Sequence, residues 1–184
     1  MTTVSPGTGT GQAASAAPAA PANLPLRKRP VDIFFIVMFS LFIVTCVISD
    51  AIPTLGIPQT ATTTNILAQW NYTYSSQYDP LYMHEPLWLR FITGTSAFIY
   101  LPFYVLLVVC LVKGFNWIQL FAVIYATMII SLTAIPIFGV EFFGPVGERT
   151  PNPVVFLLYN GPYVLVPLLL LIRMRKPLPF TRRF

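Results

Sequence analysis

The sequence predicts an all-α membrane protein: four transmembrane helices in a kinked bundle, both termini cytosolic. Three observations carry that prediction. Of 184 residues, 55% are hydrophobic and only 9% charged, with a mean hydropathy of +0.70, which leaves too little polar surface for a water-soluble domain. Four apolar runs are each long enough to cross a hydrocarbon core, which takes about 20 helical residues. Finally, the basic residues gather on one side of those runs.

The first 30 residues, rich in Ala, Pro, Thr and Gly with no apolar periodicity, read as a disordered tail. A cleaved signal peptide fits less well, because the basic Arg27-Lys28-Arg29 follows this tail and the next apolar run exceeds a typical signal core. A transmembrane domain then extends over 31–175, and a basic cytosolic tail over 176–184. The expected spans are 31–52, 91–112, 117–138 and 154–173. None shows the alternation of a membrane β-barrel, so helices satisfy the backbone in lipid.

Orientation follows from counting. Arg27, Lys28, Arg29, Lys113, Arg173, Arg175, Lys176, Arg182 and Arg183 fall on one side, leaving Arg90 and Arg149 on the other. The first side is expected to be cytosolic. The net charge of +5 is then topology rather than a nucleic-acid signal. Cys46 and Cys110 fall near opposite ends of antiparallel helices and read as small apolar fillers. With His84 the only histidine, neither a metal site nor a cofactor is expected.

Proline marks the span interiors. Pro102, Pro136, Pro162 and Pro167 fall inside the second, third and fourth spans, where each removes a backbone donor and tends to kink its helix. Kinks at a common depth would open space between helices. Proline is also commoner in membrane helices generally, so a single one carries little. The longest polar connection, 53–90, mixes Trp70, Tyr72, Tyr74, Tyr78, Tyr82 and Trp88 with few charges and suits a membrane-interface cap. Asn71, in Asn-Tyr-Thr, is a candidate N-glycosylation acceptor unless the cap hides it.

Asp50 raises the sharpest question, since it closes an uncharged run about 28 Å along the first helix, counted at 1.5 Å per residue. There it could reach interfacial water, yet a helix C-terminus disfavours an anion, and an ionisable group at membrane depth is a functional candidate by default.

Taken in order, Ser-Asp-Ala-Ile-Pro at 49–53, Asp-Pro-Leu at 79–81 with Glu-Pro-Leu-Trp-Leu-Arg-Phe at 85–91, Tyr-Leu-Pro-Phe at 100–103, Lys-Gly-Phe-Asn-Trp at 113–117 and Gly-Pro-Tyr-Val-Leu-Val-Pro at 161–167 carry a resemblance. Together they resemble the sigma-2 receptor (transmembrane protein 97) family of the EXPERA group, in a fungal-type form; the group also contains the sterol isomerase called emopamil-binding protein. The resemblance implies a multi-pass protein of the endoplasmic reticulum that binds a sterol or other lipophilic small molecule in an intramembrane cavity. It also implies a role in lipid trafficking or in membrane-protein and precursor homeostasis.

By the same resemblance, Asp50 takes the ligand, Thr133, Tyr159 and Tyr163 line the cavity, and Asp79 orders the cap; Ser96 is expected among the ligand-binding residues and Glu85 in the cap. This chain has one extra residue between Tyr159 and the proline. Ser96 stands where the receptor has an intramembrane glutamate, so Asp50 lacks that second carboxylate.

Two other function classes stay open. A sterol-type double-bond isomerase would need an acid and a base, and only Asp50, Asp79, His84 and Glu85 are at hand, so no catalytic residue is assigned. A structural or partner-binding membrane protein without a ligand is the other. The expected partners are the lipid bilayer and a lipophilic ligand, with a homodimer as a candidate state and no nucleic acid.

Overall fold

The computed structural model describes residues 22–181; the distal part of the expected N-terminal tail and the last three residues lie outside them. Every regular element among the described residues is helical. The first span, Pro30–Thr54, consists of α1 (Pro30–Thr45), a π-helical segment Cys46–Asp50 and α2 (Ala51–Thr54). A cap follows, formed by α3 (Ile66–Tyr78) and α4 (Pro80–His84). The second span, Leu87–Lys113, joins α5 (Leu87–Thr95), a π segment Ser96–Tyr100 and α6 (Leu101–Lys113). The third, Ile118–Phe143, joins α7 (Ile118–Met128), a π segment Ile129–Ala134 and α8 (Ile135–Phe143). The fourth apolar run is a pair of helices, α9 (Pro153–Asn160) and α10 (Pro162–Met174), bent by 42° at Gly161. It makes the fourth span if the bent pair crosses as one unit.

Proline chemistry accounts for these breaks. A proline has no N–H for the carbonyl four residues earlier, and its ring crowds that carbonyl. Four residues before Pro53, Pro102 and Pro136 stand Ser49, Phe98 and Leu132, and each of the three lies inside a π segment. The widened turn absorbs the crowding, as π-bulges do where an α ladder is interrupted. In the fourth run Pro162 cannot pair with Leu158, and the chain bends outright.

Two apolar clusters hold the bundle. The larger packs Phe35, Phe39 and Phe42 of α1 against Tyr104 and Leu107 of α6, Tyr125 of α7 and Leu170 of α10. A smaller one near the cap joins Leu81, Leu89, Ile137 and Phe156. On the other face of α1, Val37, Leu41 and Val44 are exposed, a surface suited to lipid tails.

The basic end is closed by an ion network. Asp32, 0% exposed, accepts from Arg29 Nη1 at 2.7 Å and from Arg173 Nε and Nη2 at 2.8 and 3.1 Å. Arg29 also donates to Leu111 O (2.9 Å) and Val112 O (3.3 Å), capping carbonyls left over at the end of α6. Residues 22–29, read from composition as part of the tail, are therefore placed and packed. The C-terminal segment folds back as well. Phe180 is fully buried, with the Arg29 and Arg173 guanidiniums 5.1 and 5.4 Å from its ring centre. Its backbone pairs with Asn116 Oδ1 and Leu24 N.

Candidate functional site

A cavity of about 70 Å³ lies where the two apolar clusters meet, lined by Ile129 beside the larger and Ile137 from the smaller. It has room for a handful of waters. All the apolar runs and the cap contribute to its wall.

Asp50 is the last residue of the first π segment. The phenol of Tyr82 donates to its Oδ1 at 3.3 Å, and the Cys46 thiol and Ser96 hydroxyl also hydrogen-bond its carboxyl. Ser96 opens the π segment of the second span, so the two widened turns face each other across this bond. Behind Asp50, the Thr54 hydroxyl donates to the Asp50 carbonyl at 2.6 Å and lies 3.0 Å from the Thr93 hydroxyl. On the far wall, Tyr163 hydrogen-bonds Thr45 and stacks on Phe42 at 4.4 Å. Ion pairs among the described residues involve Asp32, Glu85 and Glu148, and none involves Asp50. The arrangement is a carboxylate steadied by neutral donors, open on one side to a cavity and matched by no cation among the described residues.

The cap closes this cavity with Asn71, Tyr74, Ser75, Asp79 and Tyr82. Asn65 starts α3 by accepting from Leu67 N and Ala68 N, and Asp79 starts α4 by accepting from Tyr82 N. Asn160 donates to the Tyr74 phenol at 2.9 Å, and Thr150 donates to Tyr78 O at 2.8 Å, tying the cap to the fourth run and the preceding loop. Burial pushes the Asp79 carboxyl above the usual carboxylate range and raises the Tyr74 hydroxyl too.

Asp50, Ser96, Thr133, Tyr163 and Asp79 thus line one cavity. Tyr159 does not; it is 63% exposed and stacks on Tyr74 at 4.7 Å. Glu85 lies off the cavity, accepting from Gln59 and from Arg90 at 2.9 Å. Asn71 is 3% exposed and donates to Gln59, so the folded cap hides the expected glycosylation acceptor. Sequence reasoning passed over Ser49, Ser75 and Asn160 as lining residues, and Glu141 behind Asp79. For Ser75 the signal was present: it falls four residues after Asn71, on the same face of α3.

Among the described residues no group of three or more His, Cys, Asp or Glu side chains could hold a metal ion. A protein-family model described as EBP, EXPERA (EXPanded EBP superfamily), matches residues 66–174, from the start of α3 to the end of α10. No curated protein matches the chain.

Proposed function

Because the chain belongs to the EXPERA superfamily, a group of sterol-related membrane proteins, we propose that it binds a sterol or related lipophilic amphiphile beneath the cap. Asp50 takes the polar or cationic head of that ligand. The observation that carries this reading is the Asp50 carboxylate itself: at membrane depth, on a cavity wall, held by Tyr82, Ser96 and Cys46 and paired with no cation among the described residues. Thr133 and Tyr163 complete the polar side of the site, while Ile129, Ile137 and Phe138 supply an apolar wall for the ligand body.

The cavity as it stands is too small for a four-ring sterol, so the ligand is admitted by outward movement of the cap. Asp79 serves that cap as the N-cap of α4, and Glu85 steadies its edge through Gln59 and Arg90. Nine of the eleven basic residues mark one end, which supports placing both termini in the cytosol and the cap in the lumen of the endoplasmic reticulum. A role in lipid trafficking or membrane homeostasis is consistent with such a binder.

The test is photo-crosslinking of a sterol probe to wild type and Asp50→Asn in native membranes, alongside the sterol profile of the same cells. Loss of crosslinking with an unchanged profile is expected. Undiminished crosslinking in Asp50→Asn overturns the role given to Asp50, and accumulation of an unconverted sterol would point to an isomerase instead.

A further inference from the structure

One buried acid is left idle by the ligand reading. Glu141 stands on α8 near the end of the third span, 1% exposed, and no side-chain donor meets its carboxyl oxygens, which only the backbone N–H groups of Leu81 and Thr150 approach. What faces it, within hydrogen-bonding reach, is the carboxyl of Asp79, itself 2% exposed. Ionised carboxylates accept and do not donate, so a hydrogen bond between two of them requires a proton in the contact.

No cation of the surrounding elements takes the place of that proton. Arg149 gives its guanidinium to the carbonyls of Gly144 and Phe143, His84 faces Glu148, and Arg90 holds Glu85. The other ionisable groups here are phenols: Tyr74 of α3, with Tyr159 of α9 stacked on it, and Tyr82 of α4, which reaches across to Asp50. Two bare charges placed together in this interior would repel strongly and lack solvation.

The contact also sits on a seam. Asp79 is the joint between α3 and α4, whereas Glu141 belongs to the bundle. Thr150 ties the two sides together, its N–H donating to Glu141 O and its hydroxyl to Tyr78 O. We propose that Asp79 and Glu141 form a proton-binding site, sharing one proton across the seam between the cap and the third span, and that opening of the cap releases this proton. The consequence for ligand access rests on the cavity being a ligand site; the proton site does not.

The sign follows from linkage. In the closed form the pair keeps a proton at neutral pH, whereas in the open form both acids meet water and ionise at their ordinary values near 4. The closed form therefore binds one proton more. Acid favours closure, and the population of the open form rises about tenfold per pH unit across the neutral range.

The test is hydrogen exchange of the cap amides, residues 66–84, in the purified full-length protein in detergent without added ligand. Rates are corrected for the intrinsic pH dependence of exchange. Protection is expected to fall about 100-fold between about pH 6 and about pH 8 in wild type. Glu141→Gln, which cannot titrate and supplies its own donor to Asp79, is expected to remove that slope. A flat wild-type profile overturns the proposal, as does a Glu141→Gln profile as steep as wild type. Infrared spectroscopy of wild type keeps the test open if the variant fails to fold: a buried protonated carboxyl band at neutral pH is expected, and its absence overturns the proposal. Because no ligand is used, the outcome does not depend on whether the cavity binds sterol, which separates this site from the ligand reading.

Discussion

Replacing Asp32 by Asn probes the network that closes the basic end. The carboxylate, with no solvent exposure, receives three guanidinium hydrogen bonds at 2.7–3.1 Å from Arg29 and Arg173. Asparagine keeps the shape but loses the charge, and it turns an amide NH₂ toward one of two buried cations. Removing one partner from a buried ion pair costs about 3–5 kcal/mol. Arg29 retains the carbonyls of Leu24 and Leu111, which places the expected loss near the lower end, about 3 kcal/mol.

For a chain of this size that corresponds to a fall in Tm of about 6–12 °C. It is readable by heating the detergent-solubilised protein and measuring the fraction that still elutes as a folded species. Arg173→Gln on the Asp32→Asn background should cost less than it does alone, because the charge it removes no longer has its partner. A fall of less than about 2 °C, or strictly additive losses, would refute the account of Asp32 as the charge that holds this end together.

Two further predictions follow from packing. Phe180→Ala empties the slot between the two guanidiniums and is expected to free the C-terminal segment, so that trypsin cuts after Arg175 markedly faster than in wild type; an unchanged rate would mean that the segment is held elsewhere. Gly161→Ala would set a Cβ only 2.4 Å from the Leu157 carbonyl oxygen, a backbone atom that cannot easily move. A loss of about 1–3 kcal/mol is expected in thermal denaturation, and a neutral outcome would show that the bend tolerates a side chain.

Much of the architecture was legible because lipid imposes simple rules on composition. The apolar runs located the helices, and Pro102, Pro136 and Pro162 located breaks to within a turn, whereas Pro167 lies inside an unbroken α10 and the break before Pro53 was not expected. Span ends were misread where a charge stood near them. The third span was expected to stop at 138, before Glu141, yet it continues to Phe143 because Glu141 is buried against Asp79. The second was expected to begin after Arg90 but starts at Leu87, with Arg90 paired to Glu85.

Other misses involve partners distant in sequence. Nothing local to residues 22–29 reveals that Leu24 pairs with Phe180. A glycosylation motif says nothing of which helix face its asparagine will take, and Asn71 takes the inner one. Tyr159 and Tyr163, one helical turn apart, would share a face on a continuous helix. The break at Gly161 and Pro162 between them leaves only Tyr163 on the cavity.

The π segments have a consequence for how this chain tolerates change in length. Each is a turn carrying one residue more than an α ladder needs, so it stores a register offset rather than a contact. Deleting Ala134 would let the third helix wind evenly, improving its local hydrogen bonding, while turning everything beyond it by about 100°. Ile137, Phe138 and Glu141 would swing away from the cavity and from Asp79 without one of their side chains being altered. The spacing of these residues along the chain therefore encodes as much of the site as their identities do.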